Sequence, residues 1–192
     1  MKTPPAVTIA RAVLVSAAFL VGLAWAFPWD RLAEYALVEA SLKGGTRGVQ
    51  VSYGSARKTS ALPPRVEIRD LVIGSLFGNI KAPSVNLAIR PMALEIESPA
   101  ATLGMAGTAP LSLGRTQAKF SRSGPLVLLD SLRIDGDLTV SGSGAWSTTE
   151  HRLTAADLLV KAPAELHPGL NLLALSTPLK PSGEGQWRLR IP

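Results

Sequence analysis

The chain contains no cysteine and only two histidines, so it has no disulfide framework and no thiolate chemistry, and a zinc site would lack its usual ligands. His151 and His167 stand in polar or proline-flanked surroundings with no His-x-x-x-His companion and read as exposed loop residues. Blocks of like charge are also missing. The net charge of +6 is spread along the chain, which gives poor support to nucleic-acid binding, whereas a mild basic excess close to a membrane suits anionic lipid headgroups or an acidic partner. Gly142-Ser143-Gly144 lacks the third glycine of a dinucleotide loop, the lysine of a phosphate loop and the Gly-x-Ser-x-Gly spacing of a nucleophile elbow. Glu95 and Glu97 flank an inward Ile96 and are expected to point to solvent. No catalytic, cofactor-binding or metal-binding residue is assigned, and the expected function is non-enzymatic.

What the chain does have is an uncharged apolar run, Ala12 to Phe27, preceded by Lys2 and Arg11 and closed by Pro28-Trp29-Asp30. At about 1.5 Å per residue this run spans roughly 24 Å, short of the ~30 Å hydrocarbon core, but snorkelling by Arg11 lets Val7 and Ile9 join the span. No acidic residue precedes Asp30, so the basic amino-terminal flank is expected in the cytoplasm and the rest of the chain outside. Trp25, Phe27 and Trp29 would sit in the far headgroup layer. A cleaved secretory signal ending at Ala24-Trp25-Ala26 fits the same residues. Against cleavage, the apolar character continues without a polar spacer into the next segment, and either reading exports the domain.

DRLAEYALVEASLKGG reads as one helix, with Asp30 at the N-cap, Lys43 in the last turn and Gly44 at C′. Its Leu32, Tyr35, Val38 and Leu42 fall in a sector of about 120°, interrupted by Glu39. This stripe is expected to dock on the open end of the following sheet, on the membrane, or on a neighbouring subunit. From Gly48 the apolar residues alternate: Val49, Val51 and Tyr53; Val66 and Ile68; Val85, Leu87 and Ile89; Leu94 and Ile96. Breaks are expected at Leu62-Pro63-Pro64, Ala82-Pro83-Ser84, Arg90-Pro91, Ser98-Pro99 and Ser123-Gly124-Pro125, with proline confined to them. Asp135-Gly136 reads as a two-residue hairpin turn.

A weak repeat runs through these strands. Val66-x-Ile68-x-Asp70-Leu71-x-Ile73 matches Leu153-x-Ala155-x-Asp157-Leu158-x-Val160, and Val127-x-Leu129 followed by Leu132-x-Ile134 repeats the spacing with Ser131 in the Asp place. The apolar parity changes by one in each copy, so a bulge or sharp bend is expected near Asp70, Ser131 and Asp157 to keep the apolar side chains on one face. Bent strands curl a sheet. The expected fold is therefore mainly β: a single transmembrane helix and a short amphipathic helix followed by a curved antiparallel sheet, a trough or open roll. Its apolar lining would include Val66, Ile68, Leu71, Val127 and Leu129. The proline-punctuated tail, 162–185, is expected to be a loop packed on the sheet, with its apolar patch Leu170, Leu172, Leu173 and Leu175 a short helix or strand. Trp187, Leu189 and Ile191, alternating with Arg188 and Arg190, read as a last strand, an edge that its two arginines protect or to which a partner adds a strand.

The junction FPWDRL, then GVQVSYG, then LPPRVEIRDLVIG, resembles the type II secretion protein N family, and the layout is similar to the start of AsmA/TamB-type envelope proteins with their repeated bent strands. The likeness covers roughly Phe27 to Gly74 and rests on Phe27, Pro28, Asp30, Leu32, Pro63, Pro64, Asp70 and Leu71. It implies residues 1–29 as cytoplasmic tail and anchor, 30–44 as connector helix and 45–192 as a periplasmic β domain of a single-pass inner-membrane protein. The implied role is that of a secretion-system part acting through other envelope or secretion-machine proteins. The alternative it implies is a module that binds or transfers phospholipid. Neither implies a cofactor or nucleic acid.

Overall fold

The computed structural model of the chain describes residues 26–45, 48–75, 78–105 and 109–192, together with Ala18 and Gly22. The expected membrane span, Ala12 to Phe27, thus lies almost wholly outside the described residues, and among those no helix is long and apolar enough to cross a membrane. Helix α1 (Trp29–Gly45) is the expected connector. Its first turn is capped by Pro28, whose carbonyl accepts from the Leu32 N–H at 3.1 Å. Asp30 therefore sits inside that turn, not at the cap, and its carboxylate complements the positive end of the helix.

Eleven strands follow: β1 (Gln50–Ser52), β2 (Ser55–Ala61), β3 (Pro64–Ser75), β4 (Gly78–Arg90), β5 (Ala93–Gly104), β6 (Leu111–Ser123), β7 (Leu126–Asp135), β8 (Thr139–Ser147), β9 (Arg152–Lys161), β10 (Leu179–Gly183) and β11 (Gln186–Ile191). They make one sheet in the order β1-β3-β4-β5-β6-β7-β8-β9-β11-β10, with β2 also paired to β3. Every pairing is antiparallel, which short turns between consecutive strands permit.

Side-chain alternation makes the two faces opposite in character. One cross-strand row runs Val66, Leu87, Ile96, Ala118, Leu132, Gly142, Leu158, Leu189, Leu179. The next row over runs Glu67, Asn86, Glu97, Gln117, Arg133, Ser141, Leu159, Arg188, Lys180. Burying the apolar row drives formation of the sheet, while the polar row keeps its other face wet.

Parity is conserved by the devices the repeat requires, at two of the three expected places. Asp70 adopts φ 54°, and at that point the strand paired with β3 breaks into β1 and β2 without changing register: Ser52 faces Val72 and Ser55 faces Arg69. Leu71 thereby returns to the face of Val66 and Ile68, and all three join the core. In β7, Asp130 is an extra residue between the pairs Phe120–Leu129 and Lys119–Ser131, a bulge beside the expected Ser131. In the third copy the bulge is at Thr154, where Ala145 faces Ala155 and Trp146 faces Leu153. Asp157, expected to bend, lies in a regular ladder between Ser143 and Arg190.

Several boundaries differ from the sequence reading. Pro83 and Pro99 lie inside β4 and β5, not between strands. Neither carries an N–H, and the β4–β5 ladder is correspondingly open between the pairs Lys81–Thr102 and Asn86–Glu97. The buried Ser98 hydroxyl lies 2.8 Å from the carbonyls of both Ser84 and Ala100 and donates into this gap. The β7–β8 turn holds three residues, 136–138; Asp137 is drawn onto β6, its N–H donating to the Ser112 carbonyl at 2.7 Å and its carboxylate accepting from the Ser112 N–H at 2.8 Å. The tail contains a 3-10 turn (Ala164–Leu166), helix α2 (His167–Ser176) and β10. β11 consequently lies between β9 and β10, and the edge belongs to β10, where Pro181 and Lys180 stand.

Candidate binding surfaces

Helix α1 meets the sheet through Trp29, Ala33 and Leu37, spaced four apart, of which Ala33 is buried. The more apolar stripe points the other way. Leu32, Tyr35, Val38 and Leu42 are 46%, 67%, 49% and 71% exposed, so the expectation that this stripe docks on the sheet is corrected: small Ala33 allows close approach, which the bulky stripe would prevent. At the junction, Phe27 and Trp29 hold their rings 4.6 Å apart across the exposed Pro28. Lys58 Nζ donates to the Phe27 carbonyl at 3.5 Å, which ties the start of α1 to β2.

The remaining family-like positions fall at the end of β2 and along β3. Pro63 is in the exposed β2–β3 turn, Pro64 opens β3, and Asp70 is exposed at the bend with Gly54 packed closely against its carboxylate. The expected apolar lining divides. Val66 and Ile68 are 0% and 2% exposed and form the centre of the core beneath α1, filled by the chain's own side chains. Leu71, Val127 and Leu129 are half-buried. Beyond Val127 the apolar face is open: Met92, Leu94, Ile96, Phe120 and Val127 line a groove of about 450 Å³. Register extends it from Val127 to Trp146 and Leu153. Sequence reasoning missed Met92, Phe120, Trp146 and Leu153 as neighbours, because only strand pairing brings them together.

On the polar face, arginines clasp carboxylates across and along strands. Arg115 Nε donates to Glu97 at 3.0 Å, and Arg188 grips Asp157 at 2.7 and 2.6 Å. The hydrogen bonds from Arg188 hold the Asp157 carboxyl below the usual range, and that carboxylate raises the guanidinium in turn. Glu67 is likewise lowered, first by its hydrogen bond from Arg69. The Asp157 contribution is complete above the ordinary carboxylate range and disappears as pH falls through the depressed folded value. Asp157→Asn should therefore lower the urea midpoint at neutral pH and leave it unchanged in strong acid; equal midpoints for the variant and the parent at both pH values would show that the clasp adds nothing.

His151 is exposed in the β8–β9 turn, as expected. His167, expected in an exposed loop, is half-buried instead, with Nε2 3.1 Å from the Ala162 carbonyl and its ring edge-on to Trp187 at 5.0 Å. Among the described residues no group of His, Cys, Asp and Glu is arranged to hold a metal ion. The described residues present an uncovered helix stripe, an open apolar groove and a face on which arginines pair with carboxylates.

No match is found for the chain in comparisons with curated proteins and with solved structures. A family model described as "Type II secretion system protein GspN-like, Synergistales" matches residues 6–191. That span takes in the junction, α1 and all eleven strands. The chain belongs to this GspN-like family of type II secretion system proteins.

Proposed function

We propose that the chain is a non-enzymatic, inner-membrane-anchored periplasmic part of a type II secretion system, and that it works by binding other components of the machine. The observation that carries this reading is the outward stripe of α1, Leu32, Tyr35, Val38 and Leu42, which the protein's own sheet leaves uncovered. A single crossing by Ala12 to Phe27 would hold that stripe next to the bilayer, where the helices of neighbouring secretion proteins are within reach. Residues 1–29 then serve as tail and anchor, 30–44 as connector and 45–192 as the periplasmic domain. The test is Tyr35→Glu with Leu42→Glu in the native host. Both positions are exposed, so the variant should accumulate normally, lose crosslinks to its secretion-machine partners and leave folded substrates in the periplasm. Normal export with unchanged crosslinks would sink the reading.

The open groove favours a second reading, an AsmA/TamB-like lipid-handling role. Its volume of about 450 Å³ falls in the usual range for ligand sites, about 300–1,000 Å³. Acyl chains would lie against Leu129, Val127 and Phe120, away from the filled region at Val66 and Ile68. Native mass spectrometry of the purified chain should then show retained phospholipid, and repeatedly lipid-free preparations would remove this role.

A further inference from the structure

Four turns of the sheet lie at one end of the molecule: Leu62-Pro63, Pro91-Met92, Gly124-Pro125 and the segment 148–151. Because consecutive strands are antiparallel and in register, the β2–β3, β4–β5, β6–β7 and β8–β9 connections must share that end. Helix α1 starts there as well. Its first residues are tied to Lys58, only a few residues from the Leu62 turn, and its last turn meets Val49 at the far end of the same edge, where the Val49 N–H donates to the Gly44 carbonyl at 2.9 Å. Phe27, the residue before Pro28, is therefore held toward the side of these turns.

This end is both apolar and basic. Met92 is 77% exposed, Leu62 51%, Trp146 43% and Leu153 38%. Within two residues of the turns stand Arg65, Arg90, Arg122 and Arg152, all exposed, against a single carboxylate, Glu150. Two of these guanidiniums are partly neutralised, Arg90 by Glu95 at 3.1 Å and Arg152 by Glu150 at 2.7 Å. Arg65 and Arg122 are left with no carboxylate partner among the described residues. Large apolar tips on the same rim as arginines that lack a carboxylate partner, together with an amphipathic indole, match the layering of a bilayer surface, in which headgroup phosphates lie outside the acyl region.

We infer that this rim of turns rests on an anionic bilayer surface, with Met92, Leu62 and Leu153 in the outer acyl layer, Trp146 at headgroup depth, and Arg65 and Arg122 on lipid phosphates. The sheet would then stand on the membrane on its turns, and the open groove that begins at Met92 would start at the lipid surface. This contact belongs to the sheet and is separate from the span proposed for Ala12 to Phe27.

The absence of native cysteine makes the test direct. Full chain carrying one introduced cysteine, Met92→Cys, Leu153→Cys, Leu172→Cys or Ala18→Cys, is labelled with an environment-sensitive nitrobenzoxadiazole dye. Each is reconstituted into vesicles of phosphatidylethanolamine and phosphatidylglycerol containing nitroxide-bearing lipid. The expected result is severalfold stronger quenching and a blue-shifted emission at positions 92 and 153 relative to position 172 on α2, with the difference reduced when phosphatidylcholine replaces both lipids. Water-like emission at 92 and 153, equal to that at 172, overturns the inference and leaves a protein as the rim's partner. Quenching that is identical in phosphatidylcholine removes anionic lipid and overturns it too. The label at 18 reports the span separately: quenching at 18 without quenching at 92 leaves the anchor standing and removes the rim contact, and the reverse pattern does the opposite.

Discussion

Val66→Asp is expected to abolish cooperative folding of the sheet domain. Val66 has no exposed surface and packs with Ile68, Val85, Ala82 and Ala33 of α1. A carboxylate placed there has neither water nor an ionic partner, and the effective penalty is several kcal/mol, comparable with the whole stability of an ordinary domain, about 5–15 kcal/mol. Val66→Ala removes only two carbons and should cost about 2 kcal/mol, so it keeps a cooperative transition at a lower denaturant midpoint. Leu153→Asp, at an open position, should be tolerated. Urea unfolding followed by circular dichroism on the detergent-solubilised full chain separates the three. A Val66→Asp protein that unfolds at the parental midpoint would mean that this position is not the centre of the core.

Trp187→Ala should be the most damaging truncation at the other end of the sheet. The indole is 3% exposed, packs with Ala162 and Leu179, donates from Nε1 to Asn171 Oδ1 at 3.1 Å and takes the edge of His167. It therefore joins β11 to α2 and to the segment that leads into β10. Loss of a buried Trp costs about 3–5 kcal/mol, which for a domain of this size lowers the melting temperature by roughly 10–15 °C. Amide hydrogen exchange should rise first in α2 and β10, because each is anchored through this side chain. Uniformly unchanged exchange in those two elements would show that α2 is held by something else.

The strands were legible because one face of a sheet must be apolar and side chains alternate with period two. The parity change in the repeat pointed to a bend at Asp70 and a bulge next to Ser131 for the same reason, since a slip of one residue would expose every core side chain beyond it. The third copy misled because a bulge can sit anywhere before the parity must be restored, and Asp157 is held straight by Arg188. The prolines at 83 and 99 misled because proline forbids a ladder hydrogen bond and not an extended backbone; a gap shared by two neighbouring strands accommodates both.

Absent cysteine, the alternating strands, the connector helix and the FPWDRL junction are local properties, set by residue chemistry and short-range backbone preference, and they could be read in order along the chain. Which face of α1 is covered could not, because it depends on how closely a helix can approach a sheet, and Ala33 won over the larger stripe. The edge at β10, the filling of the space around Val66 and Ile68, and the gathering of Leu62, Met92, Trp146 and Leu153 at one rim with Arg65 and Arg122 were likewise decided by strand order. Residues 62–65, 92, 122 and 146–153 come from four separate connections along the chain, and only the pairing of eleven strands into one sheet brings them to the same place.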